Sequence, residues 1–389
     1  MSTVTKTMRS RDSVIVWLFV ALLMPIGANS QFVRTEMKVP DIPGYRTLKC
    51  DLHTHTVFSD GNVWPTIRVD EVWALGYDAI SITDHIEYQP HKKYIPVQHE
   101  ASYEIARPTG ETRDIIVIRG SEVTRVMPPG HLNAIFLKDA TAMETDRIRE
   151  MHASDHYRAG FKDSIDHQHQ DYMLALEEAI NQKAFVFWNH PEWKSQAKDG
   201  IRLWDVHKEL IQKGWLMGIE VANMGEWYPE AFQWCLDYNL TMLASSDIHQ
   251  TEEIFEKRNK LKHRPVTLVF ARERTAESIR EALDNGRTAV WFNDLVMGRK
   301  EFLEPLCENA IEVSDPFHED GKGRRYYNIR NLSDFRLDLS EVSGGTTIEL
   351  PPQSTVVQRV EKGKKSANYS VNQFLIEPEK NLEIQLLFK

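Results

Sequence analysis

The sequence changes character at Leu48-Lys49-Cys50-Asp51-Leu52-His53-Thr54-His55, where an apolar strand pattern runs into two histidines two positions apart. Side chains on an extended backbone alternate with a period of two, so His53 and His55 are expected to point to the same side. Two imidazoles on one side of a strand end can share one metal ion. Such pairs also occur by chance. The pair therefore indicates a metal site only if further ligands are found in the rest of the chain.

Short apolar runs continue beyond this stretch and alternate with helical patterns. Seven of the runs are predicted strands, at residues 48–52, 79–82, 115–118, 132–137, 184–188, 216–221 and 241–244. Predicted helices lie between several of them, at residues 66–75, 172–181 and 229–238. An eighth run at 266–270 precedes a helix at 276–285 that Gly286 closes. The alternation predicts a parallel, barrel-like α/β fold.

Ligand-type residues recur mostly near the carboxyl ends of successive strands, which is where α/β barrels place their active sites. With the first pair, they are His53, His55, Asp60, His85, Glu122, His131, His190, Asp247 and His249. Imidazoles and carboxylates without thiolates suit Mn, Fe or Zn. Nine ligands exceed what one ion needs, so two or three divalent metals are expected. Such metals acidify a bound water and hold phosphoryl oxygens, which is the chemistry of phosphoester hydrolysis.

These motifs together resemble those of the PHP (polymerase and histidinol phosphatase) family over roughly residues 47–293. The series that carries the likeness is His53-x-His55, Asp60, Thr83-Asp84-His85, Gly120-x-Glu122, His131, Asn189-His190-Pro191 and Ser246-Asp247-x-His249. The resemblance implies a distorted (β/α)7 barrel, a trinuclear metal site and phosphoester hydrolysis. It places one metal on His53, His55, Glu122 and Asp247, a second on Glu122, His131 and His190, and a third on Asp60, His85 and His249.

The chain is predicted to divide into a signal peptide at 1–30, an extended lead-in at 31–46, the barrel at 47–304 and a small C-terminal antiparallel β-domain at 305–389. The signal is indicated by Lys6, Arg9 and Arg11 before an apolar run at 14–26, and by the small residues at 28–30. The run is shorter than the about 20 residues of a membrane span. We therefore expect export to the periplasm or the outside, with no stable span after cleavage. An uncleaved anchor is the alternative.

Two further regions differ from the barrel pattern. Beyond about residue 305 the apolar runs are short and split by turn residues, which indicates an antiparallel β-domain without chemical motifs. Between the fourth and fifth strands, residues 138–171 form a polar insertion that contains His152, His156, His167 and His169. A solvated lid is the simpler interpretation of this insertion, and an extra metal site is the alternative.

Composition restricts the partners. The formal net charge of −10 argues against binding to a nucleic acid polymer, because such binding depends on neutralising phosphates with Lys and Arg. A small phosphate ester remains compatible with that charge, since metals can hold it locally. The three cysteines, Cys50, Cys235 and Cys307, lack paired spacing, so buried thiols are expected, with one disulfide as the alternative. The sequence leaves the oligomeric state open.

Side chains outside the ligand set are also assigned to the reaction. Arg125, on the loop between Glu122 and His131, is expected to grip a phosphate oxygen, and Arg68 is a second candidate. A surface ion pair is the alternative for both arginines. His91 either protonates the leaving group or is an exposed loop histidine. The tryptophans near motif loops, which either stack on an aromatic leaving group or pack in ordinary ways, are Trp64, Trp193 and Trp227.

The expected function is an exported metal-dependent phosphoesterase acting on a small organic phosphate ester. The signal peptide, the lead-in at 41–45, the stretch 189–193 and the C-terminal domain resemble an exported phosphodiesterase branch of the family, so a diester is favoured over a monoester. The catalytic set is expected to be His53, His55, Glu122, Asp247, Arg125 and His91. An amidohydrolase-like C–N or C–O hydrolase is the second interpretation, although no Lys stands at a strand-end motif. A secreted metal- or glycan-binding protein without activity is the third.

Overall fold

The computed structural model describes residues 33–153, 165–194, 197, 200–345 and 347–389, without the side chains of residues 151 and 165–170. The predicted signal peptide and His156 lie outside the described residues, as do the side chains of His167 and His169. Within the described part of the chain, no helix combines the length and the apolar character needed to cross a membrane.

Seven strands form a barrel, and a short additional strand, β7, pairs with β6. In chain order the strands are β1 (Arg46–Asp51), β2 (Ala79–Ile82), β3 (Ile116–Val123), β4 (Leu132–Ile135), β5 (Phe185–Trp188), β6 (Gly218–Asn223), β7 (Glu226–Trp227) and β8 (Thr241–Ser245). Strands β1 to β6 pair in chain order, and β8 pairs with β6. The barrel closes at its carboxyl end, where Asp247 N donates to His53 O at 2.9 Å and His55 N donates to Ile248 O at 3.1 Å. The seven predicted strands are confirmed.

One barrel strand, β4, runs against the predicted direction. It pairs antiparallel with β3, with Glu122 opposite Asn133, and antiparallel with β5, with Ile135 opposite Phe185. The connection from β3 to β4 spans residues 124–131, whereas a parallel crossover takes roughly a dozen residues or more. The prediction of an all-parallel barrel is wrong at this strand, because the connection is long enough only for a hairpin.

The described helices flank the barrel strands along the chain. They are α1 (Pro65–Ala74), α2 (Ala101–Arg113), α3 (Asp146–Ala153), α4 (Ile165–Asn181), α5 (Asp205–Gln212), α6 (Pro229–Asp237), α7 (Glu252–Asn259), α8 (Ala276–Asp284) and α9 (Lys300–Ala310), with a 3-10 turn at Thr141–Met143. Pro65 and Pro229 open α1 and α6, at positions where a helix needs no N–H donor. Helix α8 begins after Thr275, whose hydroxyl accepts a hydrogen bond from Ser278 N at 3.1 Å. Its predicted end is confirmed by Gly286, where φ is +62°.

The chain leaves the barrel through three antiparallel strands and ends in eight more. The first three are β9 (Val266–Ala271), which pairs with β1, β10 (Thr288–Phe292) and β11 (Leu295–Gly298). After α9 follow β12 (Ile311–Val313), β13 (His318–Glu319), β14 (Arg325–Asn331), β15 (Leu337–Glu341), β16 (Thr347–Leu350), β17 (Thr355–Val360), β18 (Ser366–Glu377) and β19 (Lys380–Leu387). These eight strands pair with one another antiparallel, which confirms the predicted β-domain.

The C-terminal strands are joined to the barrel side of the molecule by β18. This strand pairs parallel with β11, with Val296 opposite Phe374. Apolar packing continues across the junction, because the Phe335 ring lies 5.0 Å from Trp291 and 5.5 Å from Phe374. Burying a Phe side chain contributes about 1.5–3 kcal/mol, so this junction is a substantial part of the core. The predicted boundary between residues 304 and 305 falls inside α9.

All three cysteines are free thiols inside the protein. Cys50, Cys235 and Cys307 are fully buried. Burial raises the pKa of each thiol, that of Cys235 to about 12, so none is a reactive thiolate at neutral pH. The expectation of buried thiols is confirmed.

Candidate functional site

Four ligand-type atoms from three strands converge at the carboxyl end of the barrel. His53 and His55 follow β1, Glu122 lies in β3 and Asp247 follows β8. The Nε2 atoms of the two histidines are 3.0 Å apart, and each lies 3.0–3.2 Å from Glu122 Oε2 and Asp247 Oδ1. Ligands about 2.1 Å from one metal and at right angles to each other are about 3.0 Å apart. The four atoms therefore have the spacing of a shared coordination sphere.

Glu122 connects this first group to a second one. Its other oxygen, Oε1, lies 2.6 Å from His131 Nδ1 and 3.9 Å from His190 Nε2. His190 Nε2 is also 3.8 Å from Asp247 Oδ2. The two carboxylates thus face both groups, as a ligand shared by two neighbouring metals does.

A third group surrounds Asp60 in the loop after β1. Asp60 Oδ1 lies 3.1 Å from His249 Nε2 and 3.4 Å from His85 Nε2. His55 Nδ1 is 4.0 Å from the same oxygen, so His55 faces both this group and the first. All nine residues singled out in the sequence are therefore gathered into three adjoining groups.

The chemistry of the donors shows that divalent metals fit these groups. Among the described residues, His190 Nδ1 is a buried atom without a hydrogen-bond partner, and the buried oxygens Glu122 Oε1 and Asp60 Oδ1 face imidazole nitrogens without the angles of a hydrogen bond. A buried polar atom left in that state costs about 1–3 kcal/mol, which a bound cation beside the carboxylate oxygens would offset. Imidazoles and carboxylates without thiolates are ligands that Zn, Mn and Fe accept.

The surroundings keep the carboxylates ionised. Burial raises the pKa of Glu122, but the nearby imidazoles of His85 and His53 outweigh burial and hold the pKa well below its usual value. The pKa values of Asp60 and Asp247 are lowered in the same way, against burial, by neighbouring histidines. Carboxylates in their charged form are the species that bind a metal.

The imidazoles differ in protonation. Burial lowers the pKa of His85, but Glu122 and Asp60 outweigh burial and raise it to about 10. Burial and the neighbouring His131 lower the pKa of His190 to about 3. At neutral pH His190 is therefore a neutral imidazole, whereas a metal binding at His85 has to displace a proton.

A carboxylate that the sequence interpretation missed lies behind the first group. Glu220, in β6, is fully buried, and its Oε1 lies 2.9 Å from His53 Nδ1. Its Oε2 accepts hydrogen bonds from His190 N at 2.7 Å and Asn223 Nδ2 at 2.8 Å. A carboxylate on the far nitrogen of a ligand histidine fixes the ring and its tautomer. The available signal was an acidic residue inside the otherwise apolar run at 216–221.

Two ligand positions have a left-handed backbone. The angle φ is +28° at His190 and +49° at Asp247. Such a conformation costs about 1–3 kcal/mol for a residue other than glycine, and it persists where neighbouring contacts fix it. The hydrogen bonds from His190 N to Glu220 and from Asp247 N to His53 O supply those contacts.

The chain is similar along nearly its whole length to a solved two-domain protein from Bacteroides vulgatus that contains a predicted PHP-like metal-dependent phosphoesterase. The two share 41% sequence identity with a TM-score of 0.80, over 91% of this chain and 99% of the other. The chain belongs to the PHP-like metal-dependent phosphoesterases. The family inferred from the strand-end motifs is confirmed.

Other similarities are more limited. Residues 311–387 match the DUF5001 model, an Ig-like domain. An uncharacterized protein of Methanocaldococcus jannaschii is 40% identical over 81 residues, 21% of this chain, and the match spans 36% of that protein. A structure from Bifidobacterium adolescentis, named as a candidate metal-dependent phosphoesterase, shares 18% identity with a TM-score of 0.40, over 61% of this chain and 96% of the other. A similarity with so low an identity and TM-score supports no conclusion about this chain.

In this PHP-like phosphoesterase seven of the nine ligand residues, all except His53 and His55, line one cavity of about 750 Å³. That volume lies in the range of small-molecule pockets, about 300–1,000 Å³. Apolar, aromatic and cationic side chains complete the lining, among them Tyr88, Val126, Trp193, Lys194, Met224, Tyr228 and Arg258. The cavity therefore offers an apolar wall next to the ligand groups.

Arg68 lies behind the ligand groups of the phosphoesterase and has no exposed surface. Its guanidinium donates to His55 O at 3.2 Å and to Glu71 Oε2 at 2.6 Å. Arg264 is also fully buried and lies 3.2 Å from Glu71 and 3.3 Å from Asp51. The expectation that Arg68 contacts the substrate is corrected, because a fully buried guanidinium instead positions the loop that carries His55.

Arg125 borders the cavity, but its charge is already paired. Its guanidinium donates to Glu87 and, at 2.7 Å, to Asp171 Oδ2, and the side chain is 6% exposed. Two carboxylates compensate one guanidinium, which leaves little charge for a phosphate. The expected phosphate grip is thus unsupported, and the ion pair that was the alternative is present, although it is buried. Arg125 ties the loop before His131 to α4.

His91 and the tryptophans are distributed unevenly around the cavity. His91 is half-buried, its Nε2 lies 3.2 Å from a loop carbonyl, and it is outside the described lining of the cavity. Trp193 does line the cavity, with its ring 5.7 Å from His131. Trp64 and Trp227 are also outside the described lining. Of these side chains, Trp193 is the one placed to meet a substrate.

Proposed function

We propose that this protein hydrolyses small organic phosphate esters and prefers phosphodiesters. The observation that carries the proposal is the sharing of Glu122 and His55 by adjoining ligand groups on the floor of a cavity of ligand size. Three such groups support a trinuclear site. When bound, divalent metals there would neutralise phosphoryl oxygens and lower the pKa of the attacking water.

The side chains of the protein hold the reacting groups in place. Glu122 and Asp247 present ionised oxygens between the ligand groups, and Glu220 fixes the ring of His53. Trp193 and Met224 provide an apolar wall for the organic part of the ester. Positions that are fixed before the reaction avoid reorganisation when charge develops on the phosphoryl oxygens.

The charges around the cavity favour a diester. A monoester carries a second negative charge that needs a cationic partner. Arg125, the buried guanidinium of the described lining, is already paired with Glu87 and Asp171. Lys194 and Arg258 are exposed, which suits contact with the outer part of a substrate more than with its phosphoryl group. A phosphomonoesterase is the alternative within the same chemistry.

We also propose that the protein is exported. The proposal rests on Lys6, Arg9 and Arg11 before the apolar run at 14–26. N-terminal sequencing of the protein recovered from the periplasm or the medium tests it, with a start at Gln31 expected. Recovery in the membrane fraction with residues 1–30 attached would support an uncleaved anchor instead.

A substrate profile tests the proposed activity. The mature protein, loaded separately with Mn, Zn or Fe, is assayed with bis-aryl, nucleotide and glycerophospho-diesters and with the matching monoesters. We expect the diesters to be turned over faster, and His53→Ala to remove turnover while the exposed control His318→Ala keeps it. Faster monoester turnover would indicate a phosphatase.

Two other outcomes would replace the proposal. Turnover of an aryl ester or lactam, with no phosphate ester hydrolysed, would favour an amidohydrolase-like enzyme. Full metal loading without turnover of any ester would favour a metal- or glycan-binding protein.

A further inference from the structure

A fourth group of ligand-type side chains lies outside the cavity of the barrel. His99 precedes α2, Glu144 follows the 3-10 turn, and His152 is in α3. The lining of the barrel cavity contains none of these three residues. The sequence pattern marked His152 only as part of the polar insertion, because its neighbours in space come from other segments.

The three side chains converge on one carboxylate. Glu144 Oε1 lies 3.7 Å from His99 Nε2 and 4.0 Å from His152 Nε2, and the two rings are 5.8 Å apart. The side chains of His99, Glu144 and His152 are 4%, 12% and 6% exposed, respectively. Ligands about 2.0–2.1 Å from a tetrahedral zinc are about 3.3 Å apart. A contraction of several tenths of an ångström would therefore bring Glu144 Oε1 and each histidine nitrogen to the spacing of two ligands of one ion.

The charge of Glu144 and the surroundings of His99 suit a bound metal. His99 Nε2 is buried and, within the described ranges, has no hydrogen-bond partner. The neighbouring His99 ring lowers the pKa of Glu144, and burial lowers the pKa of His152. At neutral pH the carboxylate is thus an anion and His152 a neutral imidazole. In that neutral form His152 Nε2 donates to the carbonyl of Ile86 at 2.8 Å, so an ion bound at this nitrogen has to displace the proton.

A second cavity gives ions access to this group. It has a volume of about 350 Å³, and its border includes His99, Glu144, Glu104 and Thr141. An acidic side chain at the border favours the entry of a cation. The group is therefore buried enough to hold an ion and open enough to receive one.

We propose that His99, Glu144 and His152 bind one divalent transition metal, zinc by preference, at a site separate from the three ligand groups of the barrel. Two imidazoles and one carboxylate are a zinc ligand set that leaves the fourth position for water or a further oxygen. The ion would fasten α3 to the segment before α2. Because Ile86 follows His85 directly, it would also steady the backbone beside the third ligand group.

Anomalous scattering at the zinc edge tests the proposal on the unaltered protein. Crystals of the full mature chain are grown with excess zinc, and an anomalous peak is expected between His99, Glu144 and His152. No peak there, when the barrel groups are occupied, would overturn the proposal. This result is independent of whether any phosphate ester is hydrolysed.

Metal counting on variants gives a second test. After removal of all metal by a chelator, equilibrium dialysis against zinc should show one equivalent fewer in His99→Ala and in Glu144→Gln than in the wild type. His318→Ala, an exposed histidine in β13, should bind as many equivalents as the wild type. Equal numbers in all four proteins would overturn the proposal. Circular dichroism with chelator present checks the fold, and if His99→Ala unfolds, Glu144→Gln and the anomalous peak decide.

Discussion

Two layers of buried charge lie at the carboxyl end of the barrel, and they are balanced in different ways. The ligand layer consists of His53, His55, Asp60, His85, Glu122, His131, His190, Asp247 and His249, all of which except His53 and His55 line the cavity. It contains imidazoles and carboxylates but no Lys or Arg. The arginine layer lies behind it and consists of Arg68, Arg264, Asp51, Glu71 and Glu252. In this second layer two guanidiniums face three carboxylates.

The comparison separates charge that stabilises the fold from charge that is arranged for cations. In the arginine layer the opposite charges come from the chain itself. In the ligand layer the buried oxygens Glu122 Oε1 and Asp60 Oδ1 face imidazole nitrogens and, among the described residues, no Lys or Arg. Cations bound there would stabilise the folded state, since they bind it in preference to the unfolded chain. The two layers should therefore respond to substitution and to metal removal in opposite ways.

Glu122→Gln should have the largest effect, and its effect should be on activity. The amide keeps the shape of Glu122 but removes the charge that faces two ligand groups. We expect turnover to fall to background and at least one metal equivalent to be lost, measured by ester assay and elemental analysis. The exposed Glu349→Gln is the control. Normal turnover in Glu122→Gln would contradict the metal-binding role given to the ligand layer.

Arg264→Met should destabilise the fold by about 3–5 kcal/mol, because it leaves Asp51 buried without a cation and Glu71 with Arg68 alone. Urea unfolding of the metal-free protein measures this loss. Arg330→Met, whose side chain is 51% exposed, should change stability by less than about 0.5 kcal/mol. If both variants unfold at the same urea concentration, the arginine layer does not have the structural role given to it.

Glu220→Gln should weaken metal binding by about 10–100-fold while leaving the fold intact. Glu220 contacts His53 Nδ1 from behind, so its charge acts on the metal through the histidine ring. Competition with a chelating dye measures the affinity, and the exposed Glu253→Gln is the matched control. An unchanged affinity would mean that Glu220 only fills space beneath the ligand layer.

Metal binding at neutral pH should release protons. The pKa of His85 is raised to about 10 and that of His53 is raised well above its usual value, so both carry protons in the metal-free protein. Protons compete with the metal, so the apparent affinity should rise with pH, by about tenfold per pH unit for each proton displaced, until the pH approaches the His85 pKa of about 10. Calorimetry in two buffers of different ionisation enthalpy counts the protons. Heats that do not depend on the buffer would contradict this assignment.

Most of the ligand layer could be predicted from the sequence, because most of its residues follow or end apolar runs. The period of these runs identifies the runs as strands. His53 stands directly beyond the run at 48–52, Asp247 follows the run at 241–244 by three residues, and the carboxyl ends of neighbouring strands meet in space. The direction of β4 was missed because direction depends on the length of a connection, not on the apolar pattern of the strand. Local sequence patterns were therefore sufficient to predict the strands and the ligands, but not the direction of β4.

The supporting residues could not be found in this way, because their partners are distant in sequence. Arg125 looked like a free cation until Glu87 and Asp171 were placed beside it. Glu220 sits inside a strand that is buried on both faces, so no alternation distinguishes its side. The arginine layer could not be predicted for the same reason, since Arg264 and its partner Asp51 lie near opposite ends of the barrel sequence.

The parallel pairing of β18 with β11 has a consequence for the chain while it is being synthesised. Synthesis proceeds from the N-terminus, so β11 exists before residues 366–377 have been added. Until then one side of β11 carries unpaired N–H and C=O groups, which is the kind of edge that recruits strands from other molecules. Strand β18 therefore covers the exposed edge of β11 once it has been synthesised, and chains truncated before Ser366 should aggregate.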